Sequence, residues 1–79
     1  MDRNTAVEKL TLIFRKVFDK QDIVIEDNLT AKDVENWDSL SHMSLITEIE
    51  TNFQIKFKLK ELNKMRNVGD MISIILSKF

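Results

Sequence analysis

Seventy-nine residues with a formal net charge of −1 and no cysteine give room for one small domain, 1–79, around one core. The composition excludes disulfides and thiolate metal sites, and the single histidine leaves no ligand set for a transition metal. A charge this close to zero announces neither a nucleic-acid nor a membrane partner. No run is long and apolar enough to span a membrane, and Lys9, Arg15 and Lys16 break any signal-peptide pattern. A soluble, monomeric, cytoplasmic domain is expected, held by helix packing, because there is no proline and only one glycine to interrupt long helices.

The spacing predicts a first helix from Thr5 to Asp19. Thr5-Ala6-Val7-Glu8 has the pattern of a capping box, and Ala6, Val7, Leu10, Ile13, Phe14, Val17 and Phe18 recur as a broad apolar stripe. Lys9, Arg15 and Lys16 lie mainly off it, as a solvated face. Periodicity is lost from Lys20 to Trp37. Ile23-Val24-Ile25 has strand composition but no second strand to pair with, so it reads as a loop pressed on the core through Ile23 or Ile25. Thr30-Ala31-Lys32-Asp33 is expected to make one helical turn capped by Thr30, with Leu29 and Val34 tucked inward.

Asn36-Trp37-Asp38-Ser39-Leu40-Ser41-His42 reads as a loop turning into a helix. Asp38 is its N-cap and Ser39 its first residue, because a carboxylate there accepts from the orphan N–H groups of the first turn. Ser39 then sits where the helix dipole is most positive, a natural place for a phosphate. On a wheel of about 100° per residue, His42, Leu45, Ile46, Ile49 and Phe53 form the core side of a helix running to Asn52. Leu40, Met43, Ser44 and Thr47 fall on the other side. Two apolar residues beside a phosphate-ready serine suggest a docking surface. Trp37 and His42 occupy the positions of a hydrophobic staple. A catalytic use of Asp38, Ser39 and His42 is disfavoured, because one helical turn cannot place an acid, a base and a nucleophile in series beside an oxyanion hole.

Beyond this helix Phe53, Ile55 and Phe57 alternate with Gln54, Lys56 and Lys58, a strand-like pattern again without a partner. A short third helix near Leu59 to Lys64 is expected to bury Leu59 and Leu62. The last helix starts at an Asn67 cap with Asp70 three residues on, and its core stripe is Val68, Met71, Ile72, Ile75 and Phe79. Lys56, Lys58, Lys60, Lys64 and Arg66 make a basic run. It reads first as a solvated face, and alternatively as a partner-selecting patch or a nucleic-acid footprint.

Asp38-Ser39-Leu40 resembles the Asp-Ser-Leu motif of acyl carrier proteins. The similarity extends to Leu29 and Val34 before it, to the Glu50…Phe53-Gln54-Ile55 end of the motif helix, and to Asn67-Val68-Gly69-Asp70 opening the last helix. It implies an all-α fold: a small antiparallel helical bundle of three main helices plus one short helix, with a long first loop. It implies that Ser39 is esterified with 4′-phosphopantetheine taken from coenzyme A. An acyl or related group would ride on the arm's thiol as a thioester, presented to separate enzymes without turnover by the carrier. Asp38 would lie near the metal ion of the phosphopantetheinyl transferase that installs the arm.

The outward face of Leu40, Met43 and Thr47, with Glu48 and Glu50 at its margins and Trp37 beside the attachment point, would meet that transferase and the acyl-activating and acyl-transfer enzymes. Two departures from the family pattern stand out. Asn36-Trp37 replaces a glycine-containing approach to the motif, and Ser41, Ser44, Thr51 and Asn52 stand where acidic residues are common. Both point to a specialised pathway rather than housekeeping fatty-acid synthesis. An aminoacyl or peptidyl carrier shares the motif and is the near alternative. A helical nucleic-acid binder using the 56–66 run is the alternative from another class.

Overall fold

In the computed structural model, which describes residues 1–79, the chain forms α1 (Arg3–Val17), α2 (Ser39–Phe53), α3 (Leu59–Asn63) and α4 (Val68–Ser77), with no strand. α1 starts earlier than its apolar pattern suggests. Asp2 Oδ1 accepts the Thr5 N–H at 2.8 Å, which places Thr5 inside the first turn, so the Thr5–Glu8 capping box does not form. The helix also ends sooner: Phe18 is its C-cap and Asp19 turns left-handed at φ 50°.

α1 packs against both α2 and α4. Ala6, Leu10, Ile13, Phe14 and Phe18 meet Leu45, Ile49 and Phe53 of α2 and Val68, Met71, Ile72 and Ile75 of α4 in one apolar core. The stripes read from the sequence are thus the buried faces, apart from Val7, Val17 and His42, which are half-buried, and Phe79, which is exposed. The resulting architecture is a small antiparallel bundle of three main helices and one short one. No helix is long and apolar enough to cross a membrane.

The long first loop is pinned at several points. Ile23 and Ile25 are both buried while Val24 is 69% exposed, an alternation produced by a loop lying on the core without any ladder. Arg15 Nε donates to Ile23 O at 3.0 Å. At its far end the loop supplies acceptors to the start of α4: Val68 N–H reaches Leu29 O at 2.9 Å and Gly69 N–H reaches Asp27 O at 2.8 Å. Glycine suits this close approach, because a Cβ on residue 69 would stand 3.0 Å from Asp27 O and the loop would have to give way by a few tenths of an ångström. Thr30–Asp33 is a turn rather than a helical turn. Its capping also runs opposite to expectation, for Asp33 Oδ2 accepts from Thr30 N–H at 3.0 Å and from Thr30 Oγ1 at 3.2 Å.

Gln54, at φ 56°, ends α2 in the left-handed region. Glu50 Oε2 then accepts the Phe57 N–H at 2.9 Å and holds the following turn against the helix. Ile55 is buried and Phe57 half-buried, so this alternation also belongs to a loop. α3 buries neither expected leucine fully: Leu59 is 74% exposed, and Leu62 is half-covered. The five-residue helix lies at the surface and buries no residue fully. An ion pair holds it instead, with Lys78 Nζ 2.8 Å from Glu61 Oε1 and both side chains largely covered. Phe79 is 57% exposed, because it lies past the Lys78 C-cap and off the helical stripe.

Candidate functional site

The corner leading into α2 is built by reciprocal capping. Asp38 adopts extended backbone, and its Oδ1 accepts the Ser41 N–H at 2.9 Å. In return the Asp38 N–H donates to Ser41 Oγ at 2.8 Å, and that hydroxyl donates to Asn36 O at 2.6 Å. Asn36 stands at φ 70°, a left-handed conformation that asparagine tolerates better than most residues. It thereby does the work of the glycine expected at this approach. The bond from the Ser41 N–H, the largest influence, holds the Asp38 carboxyl below the ordinary range. Ser41 is the contributor that sequence reasoning missed. Its signal was present in the three-residue spacing from Asp38.

Trp37 packs inward. Its ring meets Phe14 edge-on at 5.3 Å between centroids and Phe18 at 5.7 Å. The indole N–H donates to His42 Nδ1 at 3.1 Å, with the two rings 18° from parallel. The staple between them is therefore formed as expected. The bulk of Trp37 is half-buried beside α1 and is not offered on the outward face. Burial pushes the His42 imidazole below its usual range, which keeps it neutral. With Nδ1 accepting, the proton sits on Nε2. Asp38 is engaged with Ser41 and His42 with Trp37, so no relay from carboxylate through imidazole to Ser39 exists.

Ser39 is exposed as the first residue of α2. Unlike Ser41, whose hydroxyl is held by Asn36 and Asp38, Ser39 Oγ forms no bond within the chain. Leu40 is 83% and Met43 56% exposed, so the two apolar residues do face outward beside it. Thr47 shares that face, its Oγ1 bonded to Met43 O at 3.0 Å. The marginal acids are occupied by the chain itself: Glu48 Oε2 pairs with Lys16 Nζ at 3.2 Å, and Glu50 holds the Phe57 N–H. A cleft of about 560 Å³ opens beside Ser39, with Trp37, His42, Met43, Met65 and Met71 among its walls. Lys56, Lys58, Lys60, Lys64 and Arg66 are all exposed, and none enters a salt bridge.

Among solved structures, the chain is similar to a holo acyl carrier protein from Geobacter metallireducens, determined by solution NMR. The two are 46% identical and superpose with a TM-score of 0.88 over 92% of this chain and 84% of that one. No family model and no curated protein matches the chain.

Proposed function

The chain belongs to the acyl carrier protein family, and from that premise we propose that it carries its cargo on a 4′-phosphopantetheine arm joined to Ser39 Oγ. A member of this family is a carrier and not an enzyme. The observation that supports Ser39 most directly is its placement. It offers an exposed, uncommitted primary hydroxyl on the first residue of a helix, where amide dipoles favour the anion that a phosphodiester brings. When bound, the arm supplies a thiol that holds an acyl group as a thioester. Asp38 fixes the helix start and stays ionised, ready for the metal ion of a phosphopantetheinyl transferase. Met43, Met65 and Met71 line the cleft beside the attachment point and supply adaptable apolar walls for a cargo chain.

The partners are the transferase and separate enzymes that load and unload acyl groups, in the cytoplasm. A specialised pathway is the better fit, because the outward face of α2 is apolar at Leu40 and Met43 and its flanking acids are engaged elsewhere in the chain. Housekeeping enzymes that steer by an acidic helix would find little charge to hold.

The test is intact mass after incubation with a phosphopantetheinyl transferase and coenzyme A. The unaltered chain is expected to gain one arm. Ser39→Ala is expected to gain none while keeping its helical circular dichroism. A gain that persists in the Ser39→Ala protein overturns the assignment.

A further inference from the structure

We propose that Arg66 is an oxyanion anchor for whatever the arm brings to the cleft beside Ser39, an inference that rests on the carrier reading above. Arg66 lies in the link between α3 and α4, where its backbone N–H donates to Asp70 Oδ2 at 3.1 Å. That bond fixes the residue's main chain and leaves the guanidinium free: it enters no salt bridge. Arg66 is among the residues that line the same cleft as Ser39. The other charged residue of the cleft wall, Asp38, has its carboxylate on the Ser41 N–H at the cap of α2. A residue whose planar cation has no ion-pair partner thus borders a cleft otherwise walled largely by Trp37, Met43, Met65 and Met71.

That combination selects by chemistry. The methionines and the indole favour a short methylene chain, while a guanidinium matches a carboxylate or phosphate with two parallel N–H donors. Partly apolar walls strengthen such a contact relative to open water. His42 also lines this cleft, and with Nδ1 accepting from Trp37 its one N–H is on Nε2. The ligand is therefore an oxyanion delivered on the arm. Its two sources are the phosphodiester at Ser39 and a carboxylate at the far end of a dicarboxylic acyl thioester. Charge in the basic run at large does not suffice: Lys64, two residues away, is outside the cleft.

The experiment follows the Arg66 Nε–Hε resonance by NMR in the apo, holo, butyryl-holo and succinyl-holo proteins, after intact mass has verified each form. Movement on succinyl but not butyryl loading identifies the cargo carboxylate. Movement at the apo-to-holo step, with none afterwards, identifies the phosphodiester. In the carboxylate case Arg66→Gln is expected to lower occupancy of the cleft by the succinyl arm about tenfold, the scale of a charged hydrogen bond, read from the Met43 and Met65 methyl shifts. In the phosphodiester case Arg66→Gln is expected to remove the apo-to-holo shifts of those methyls. Lys64→Gln is expected to change neither. An Arg66 signal that is unmoved in every verified form, or equal effects from Lys64→Gln, overturns the anchor and leaves the carrier reading intact. A chain that gains no arm mass at all fails earlier, at the carrier reading itself, and takes the anchor with it.

Discussion

The Trp37 indole N–H and His42 Nδ1 are joined at 3.1 Å, a bond that exists only while the imidazole is neutral. Protonation turns Nδ1 into a donor and sets two N–H groups against each other. Burial already pushes the His42 pKa down. The unfolded chain, with an ordinary histidine near about 6.5, therefore takes up a proton first as pH falls. Stability from this group is full above the unfolded value and is lost as pH drops through the lower folded one. Urea midpoints are expected to fall between about pH 7 and pH 5, and His42→Gln, which keeps an acceptor but does not titrate, is expected to flatten that slope. An unchanged slope in the variant would assign it to other groups.

Ser41→Ala removes the hydroxyl that both accepts from Asp38 N–H and donates to Asn36 O. The corner before Ser39 then loses one side of its capping box. The expected cost is about 1 kcal/mol, read as a lower denaturant midpoint at an unchanged m-value. Ser44→Ala, at an exposed site on the same helix, serves as the control and is expected to be neutral.

Ile49 and Ile72 are fully buried on α2 and α4, at 0% and 1% exposure. Truncating either to alanine is expected to cost about 2–5 kcal/mol, a large share of what a domain this small has. Thermal melts of both variants decide the point. Parent-like melting in both would contradict the packing described above.

Partner choice is open to a direct kinetic test. Met43→Glu places a charge inside the apolar contact and is expected to slow loading by the true partner. Ser44→Glu restores an acid to the helix and is expected to speed malonyl transfer by a housekeeping transferase, an effect that fades at high salt. Rapid malonyl loading of the unaltered holo protein would remove the case for a specialised pathway.

Much of this organisation was legible in the chain because it is local or periodic. The Asp38 cap follows from the chemistry of one side chain, and the faces of α2 and α4 follow from a repeat that helical geometry imposes. What escaped was settled by partners distant in sequence. Asp2 and Thr5 are both competent caps, and the earlier one wins once it holds the Thr5 N–H. Nothing in the neighbourhood of Trp37 reveals that Phe14 and Phe18 will meet its ring. Leu59 and Phe79 carry apolar side chains that pattern alone sends inward. Yet one sits on a short helix at the surface and the other beyond a helix end.

The docking of the long loop on the start of α4 makes a natural probe of local opening. First-turn amides of a helix ordinarily have no partner in the helix and trade their protons with water quickly. Here the Val68 and Gly69 amides are covered by Leu29 O and Asp27 O, so deuterium reaches them only when the loop lifts. Asp27 also bonds Arg3 at the start of α1. Lifting the loop therefore also separates Asp27 from Arg3, and the protection of these two amides measures its free energy separately from that of global unfolding.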